Sequence, residues 1–207
     1  MKKLVFFITF FLNGISFSQD HSAIVLMYHR FDEPKYQSTS ISSELFEKHL
    51  KLIKENSFNV INLEDFIDIL IKKKKIPKKT LLITVDDAFR SFYDFAFPLL
   101  KKYNFPFNLF VSTASVSEDG ESDFMSWEML KEIQKHKGMV FNHTVDHMSL
   151  VGLSDRMIID QVTKASNEIK LKLGIDSPKV FSYPYGESSE RIEKILQRLG
   201  ILAAFSQ

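Results

Sequence analysis

Two acidic residues, Asp86 and Asp87, stand side by side at the end of the apolar run 81–85. Adjacent carboxylates repel each other and are costly to take out of water. Their placement at the tip of a buried-strand pattern calls for a positive partner or for chemistry. A second group lies farther along, where His143 and His147 stand four residues apart in "HTVDH". That spacing brings two imidazoles together on one helix face or in a tight loop. The pattern is not the HExxH of zinc proteases, because Thr144 follows the first His. Taken alone, either group has an ordinary reading. The acids would serve as a helix N-cap and a first-turn charge, and the histidines as surface residues. Taken together they offer one carboxylate and two imidazoles to a divalent metal, with coordination positions left open. The second carboxylate would then remain available as a base.

These groups need a scaffold that gathers distant strand ends. Short apolar runs at 23–29, 59–63, 81–85, 107–112, 138–143, 179–184 and 201–206 alternate with helical patterns at 43–56, 64–74, 127–137, 154–173 and 189–199. Ser154 and Gly174 bracket the fourth helix as caps. Residues 91–102 are ambiguous, since Pro98 interrupts their helical period. Strand–helix alternation predicts a parallel sheet, open or closed into a barrel, with active groups at the C-terminal strand ends. Asp86, Asp87, His143, His147, Tyr185 and His29 all fall at such ends.

Composition narrows the function classes. A chain of 207 residues, 44% hydrophobic, supports one sizeable core. The net charge of +1 gives no basic field for nucleic acid. With no Cys there is neither a disulfide framework nor a thiolate metal site. Residues 1–18 read as a secretory leader: Lys2 and Lys3, then apolar Leu4 to Leu12, then small Ser16 and Ser18 just before a cleavage position after Ser18. The expectation is a secreted or periplasmic protein, with an uncleaved membrane anchor as the alternative. "KKKKIPKK" at 72–79 holds six Lys, read as a solvated loop at a helix C-terminus. An anionic polymer or membrane surface is the alternative partner for it.

"TVDDA" (84–88), "HTVDH" (143–147) and "SYPYG" (182–186) resemble the first three motifs of the polysaccharide deacetylases, the NodB-homology or carbohydrate esterase family 4 fold. "LMYHRF" (26–31) and "FMSWEML" (124–130) resemble stretches of the branch acting on poly-N-acetylglucosamine. The resemblance implies a distorted (β/α) barrel over 19–207 and a metal-dependent hydrolase that removes N-acetyl groups from a polysaccharide. It implies Asp86 as base, and Asp87, His143 and His147 as ligands of a divalent metal, zinc by donor type. It implies Tyr185 as the oxyanion residue through its backbone N–H. Pro184, Tyr185 and Trp127 are the candidate sugar-pocket residues, with Trp127 read as core or pocket wall rather than a specific platform, and His29 is a rim residue supporting the site rather than a ligand. The partner is an N-acetylated polysaccharide; no nucleic acid and no stable protein partner is expected. Three departures stand out. Ala88 replaces a Gly, Ser182 replaces an Arg that steadies the base, and the fourth and fifth motifs have no counterpart before Gln207. The expectation is a truncated domain lacking the late His that serves as acid. A non-catalytic sugar- or metal-binding relative, or a hydrolase of another amide or ester, are the competing readings.

Overall fold

The computed structural model describes residues 8–10, 22–119, 122–176 and 179–206. The leader's cleavage position, His21 and Gln207 lie outside the described residues. Seven parallel strands form one curled sheet. They are β2 (Ala23–Tyr28), β5 (Asn59–Val60), β6 (Thr80–Asp86), β7 (Phe107–Val111), β8 (Gly138–Asn142), β9 (Val180–Ser182) and β10 (Ala203–Phe205). Their order is β10-β9-β8-β7-β6-β2. The short β5 pairs only with Thr80 and Leu81 at the start of β6. β7 takes over from Thr84 to Asp86. β1 (Ile8–Phe10) lies antiparallel to β10. A two-residue pair, β3 (Arg30–Phe31) with β4 (Ser40–Ile41), stands apart. The chain is thus a half-barrel, and β2 and β10 are not paired with each other.

Strand periodicity sorts side chains between two faces. On the convex face, Leu81, Ile83 and Val85 of β6 join Leu109, Val111 and Val140 in one core. That core is packed by α1 (Ser43–Glu55), α3 (Phe97–Tyr103) and α4 (Trp127–Gln134). Phe181 and Ala204 pack instead with α5 (Asp155–Leu173) and α6 (Glu190–Arg198). On the concave face, Leu82, Phe110, Phe141, Val180 and Phe205 pack against α2 (Leu63–Ile71), which fills the half-barrel. The same parity places Asp86, His143 and Ser182 on the concave side, two or four residues beyond Leu82, Phe141 and Val180.

Helix starts follow the capping rule. The side chains of Ser42, Asn62, Ser126, Ser154 and Ser189 each accept from a first-turn N–H. The ambiguous region resolves into a π-turn, Phe92–Ala96, that leads into α3 with Pro98 in its first turn. A proline is tolerated there because no intrahelical N–H bond is lost. The strand expected over 59–63 is shorter, because Asn62 caps α2 and ends it. No helix among the described residues is long and apolar enough to cross a membrane.

Candidate metal centre and active site

Three strand ends build the centre. β6 delivers Asp86 within the strand and Asp87 one residue beyond it. Asp87 takes φ 75° and Ala88 takes φ 61°. This left-handed region costs a non-glycine residue roughly 1–2 kcal/mol. The turn swings the Asp87 carboxylate over the barrel mouth, and the Asp87 N–H donates to the Phe110 carbonyl at 3.0 Å. Ala88 is fully buried at the position where the resemblance expects glycine.

The loop after β8 carries both histidines, and it is not helical. Thr144 and His147 adopt φ 74° and 53°. Buried Asn142 pins the loop. Its Oδ1 accepts from the Thr144 N–H at 2.7 Å, and its Nδ2 donates to the Val162 carbonyl and to Ser166 Oγ, both at 2.8 Å. The Thr144 hydroxyl accepts from the His147 N–H at 3.0 Å, and Gln161 Oε1 accepts from the N–H groups of Val145 and Asp146. Asn142, Thr144 and Gln161 hold the two imidazoles at their working separation. Nothing in their sequence spacing marks that role, because Gln161 reaches the loop from α5.

β9 completes the site across the barrel. The Ser182 hydroxyl donates to Asp86 Oδ2 at 2.9 Å. The Ser182 carbonyl accepts from His143 Nδ1 at 2.8 Å. A carbonyl can only accept, so the His143 proton sits on Nδ1 and the Nε2 lone pair faces the mouth. His143 Nε2 lies 3.4 Å and His147 Nε2 lies 3.1 Å from Asp87 Oδ1. All three atoms fall within 4.8 Å of one another. Asp87 Oδ1 is buried, yet neither imidazole meets hydrogen-bond geometry with it. An orphaned carboxylate oxygen facing two imidazole nitrogens fits a shared cation. Ligand atoms bonded tetrahedrally to zinc at 2.0–2.1 Å lie about 3.3 Å apart. Asp87, His143 and His147 could hold such an ion.

Electrostatics separates the two acids. Burial pushes the Asp86 carboxyl up, reinforced by Asp87 and only partly opposed by His143, His29 and the Ser182 hydroxyl. Burial also acts on Asp87, but the two imidazoles outweigh it and hold that carboxyl well below the usual range. For His143, burial lowers the pKa, while Asp87, Asp86 and the Ser182 carbonyl together raise it. Neighbouring acids driven in opposite directions suit one for a charged ligand and the other for proton transfer.

A cavity of about 530 Å³ opens above these groups, lined by Asp86, Asp87, His143, His147, His29, Tyr183 and Tyr185. Tyr185, at φ 59° and 62% exposed, stands edge-on to His147 with ring centroids 4.7 Å apart. Two candidate sugar-pocket residues do not reach this cavity. Trp127 is 3% exposed and packs in the convex core, because α4 turns its apolar face to the sheet. Pro184 is buried within the turn that presents Tyr185. His49 accepts or donates to the Tyr28 hydroxyl at 3.0 Å, and His136 meets the edge of Phe97. Both are packing groups outside the cavity lining.

The sequence model of the family described as "Polysaccharide deacetylase" matches residues 73–204. The chain belongs to the polysaccharide deacetylase family. The poly-β-1,6-N-acetyl-D-glucosamine N-deacetylase of Staphylococcus aureus is 28% identical, over 91% of this chain and 73% of that protein. YxkH of Bacillus subtilis is 28% identical over 85% of this chain, which spans only 61% of YxkH. Among solved structures, IcaB from Ammonifex degensii superposes with a TM-score of 0.79 at 29% identity, covering 88% of this chain and 82% of that one. The Streptococcus pyogenes deacetylase PplD, solved in complex with acetate, shares the fold at a TM-score of 0.79 and 23% identity, covering 86% and 80%. The NodB-like α/β fold expected from the motifs as a distorted (β/α) barrel is observed, as a curled parallel half-barrel.

Proposed function

We propose that this deacetylase hydrolyses N-acetyl groups on an N-acetylglucosamine-containing polysaccharide. One observation carries the reading. A buried carboxylate, Asp86, sits beside the Asp87–His143–His147 cluster and is steadied by Ser182 at 2.9 Å. Similarity to the S. aureus enzyme, at 28% identity, supports the substrate class.

A bound divalent metal, zinc by its nitrogen–oxygen donor set, would polarise the acetamide carbonyl and acidify a water. Asp87, His143 and His147 would hold it. Asp86 accepts the proton of the attacking water, a role suited to a carboxyl whose pKa is raised by burial. The Ser182 hydroxyl keeps its Oδ2 fixed, taking over the steadying role that an Arg has in the motif. The Tyr185 N–H, in its left-handed turn next to His147, stabilises the oxyanion. The exposed Tyr185 ring offers a face to a sugar.

The leaving amine needs a proton, and His29 fits that task. It lies one residue beyond β2, lines the same cavity, and interacts electrostatically with Asp86. The positive and apolar leader supports export of the chain through residues 1–18.

The test is release of acetate from β-1,6-linked N-acetylglucosamine oligomers by the metal-loaded chain. We expect turnover that Asp86→Asn abolishes and that His29→Gln lowers by about 10²–10⁴-fold. Release from simple acetate esters or small amides, but not from the oligomers, would overturn the substrate assignment. A His29→Gln variant with unchanged rate would remove His29 from the mechanism.

A further inference from the structure

His29 is the single residue between β2, which ends at Tyr28, and β3, which begins at Arg30. The rings of His49 and His143 are fixed by hydrogen bonds, and the His29 ring has none among the described residues. Its aim must come from the backbone and from its neighbours. β2 pairs with β6 in register, Met27 with Thr84 and Tyr28 with Val85. One more step in that register sets His29 opposite Asp86. Strand alternation puts both on the concave face, with Val25 and Met27 before the one and Leu82 and Thr84 before the other. The ladder stops at Tyr28 and Val85, one residue short of the two groups whose spacing matters.

The side chains flanking His29 carry the tie further. The Tyr28 ring meets the edge of Phe46 at 5.0 Å, and its hydroxyl is hydrogen-bonded to His49 Nδ1 at 3.0 Å. Arg30 is held more closely still. Its guanidinium carbon lies 3.4 Å from the centre of the Phe89 ring and 3.9 Å from that of Tyr36. Its Nη1 donates to Glu33 Oε2 at 2.6 Å. A planar cation between two rings is attracted by both, and more strongly when screened from water; the Arg30 side chain is 14% exposed. Neither Arg30 nor any of these three partners lines the cavity.

Phe89 is a firm base for this clamp. It stands two residues beyond Asp87 and stacks on Phe124 with ring centres 5.0 Å apart. The Met125 N–H donates to the Ala88 carbonyl at 2.9 Å, and the Arg90 N–H to the Asp123 carbonyl at 2.8 Å. Arg30 therefore joins the end of β2 to the turn that carries Asp87 and follows Asp86. We propose that Arg30 is a positioning residue, whose clamp between Phe89 and Tyr36 fixes the His29 imidazole relative to Asp86. The proposal rests on the acid role given to His29.

Two measurements test it, on the full chain. The first is NMR of the imidazoles. The His29 ring signals, identified by their loss in His29→Gln, should shift in Arg30→Ala, while those of His143 and His147 stay in place. Unmoved His29 signals, or equal movement of all three rings, would overturn the proposal whatever the substrate. The second is a double-mutant cycle on the oligomer reaction. A misplacement of about 1 Å costs on the order of 10²-fold in rate. Arg30→Ala should lower kcat by up to about 100-fold with KM near that of the parent, and should lower it no further in the His29→Gln background. Arg30→Lys keeps a cation at the rings without the planar fork and should fall between Arg30→Ala and the parent. An equal-fold loss in both backgrounds would make Arg30 a general support of the fold and refute the proposal. A rise in KM with kcat unchanged would make it a substrate contact and refute it as well. An unchanged rate in His29→Gln would sink the acid reading and the proposal with it. A slow His29→Gln beside an unimpaired Arg30→Ala would sink the proposal alone.

Discussion

Asp86 and Asp87 are neighbours in sequence and differ in every physical respect that matters. Asp86 stays in the strand, points into the half-barrel, and loses water without gaining a full counter-charge. Asp87 leaves the strand through a left-handed turn and meets two imidazoles. Their variants should separate cleanly. Asp87→Ala and His147→Ala should each lose stoichiometric zinc, read by elemental analysis of protein dialysed after loading. Asp86→Asn should keep its zinc. Full zinc content in both ligand variants would place the ion elsewhere. Removing one donor also leaves the other groups of the cluster buried without a partner. The effect therefore exceeds a single lost bond.

At the scale of elements, the site depends on how closely α4 and β8 approach. Gly138 opens β8, and a Cβ there would lie 2.3 Å from Ile133 Cγ2 and 2.8 Å from the Phe107 ring. Ile133 and Phe107 are fully buried and cannot withdraw. Gly138→Ala should destabilise the fold by about 1–3 kcal/mol, as overpacked cores do, measured by urea unfolding. β8 ends in Asn142, whose hydrogen bonds position the histidine loop. A displaced β8 should also weaken zinc binding. An unchanged unfolding midpoint would mean that α4 shifts more freely than its packing implies.

For the whole molecule, a metal held by this cluster would be linked to the fold. The cluster joins β6 to the loop after β8, while the Ser182 contacts tie both to β9. A cation bound only by the folded state raises stability by about 2.7 kcal/mol when free metal is about a hundredfold above its Kd. Zinc should therefore raise the thermal midpoint of the metal-stripped chain, a chelator should reverse the rise, and Asp87→Ala should show none.

Much of the architecture was legible before any coordinates. Strand–helix alternation fixed the parallel sheet, because period and capping are local properties of the chain. The Asp pair and the HTVDH spacing pointed to a metal centre, because few other side-chain groups suit that chemistry. Trp127 and Pro184 stand outside the cavity lining, and sequence does not say which face of α4 or of a turn looks into a cavity. Only tertiary structure brought Ser182 across the barrel to Asp86, aimed Asn142 and Gln161 at the histidine loop, and set His29 in the same cavity. The contact between Asp86 and Ser182 spans 96 residues of sequence. These contacts depend on how far the sheet curls. Curl is a cooperative property of all the strands and the helices packed on them, and no local stretch of sequence encodes it.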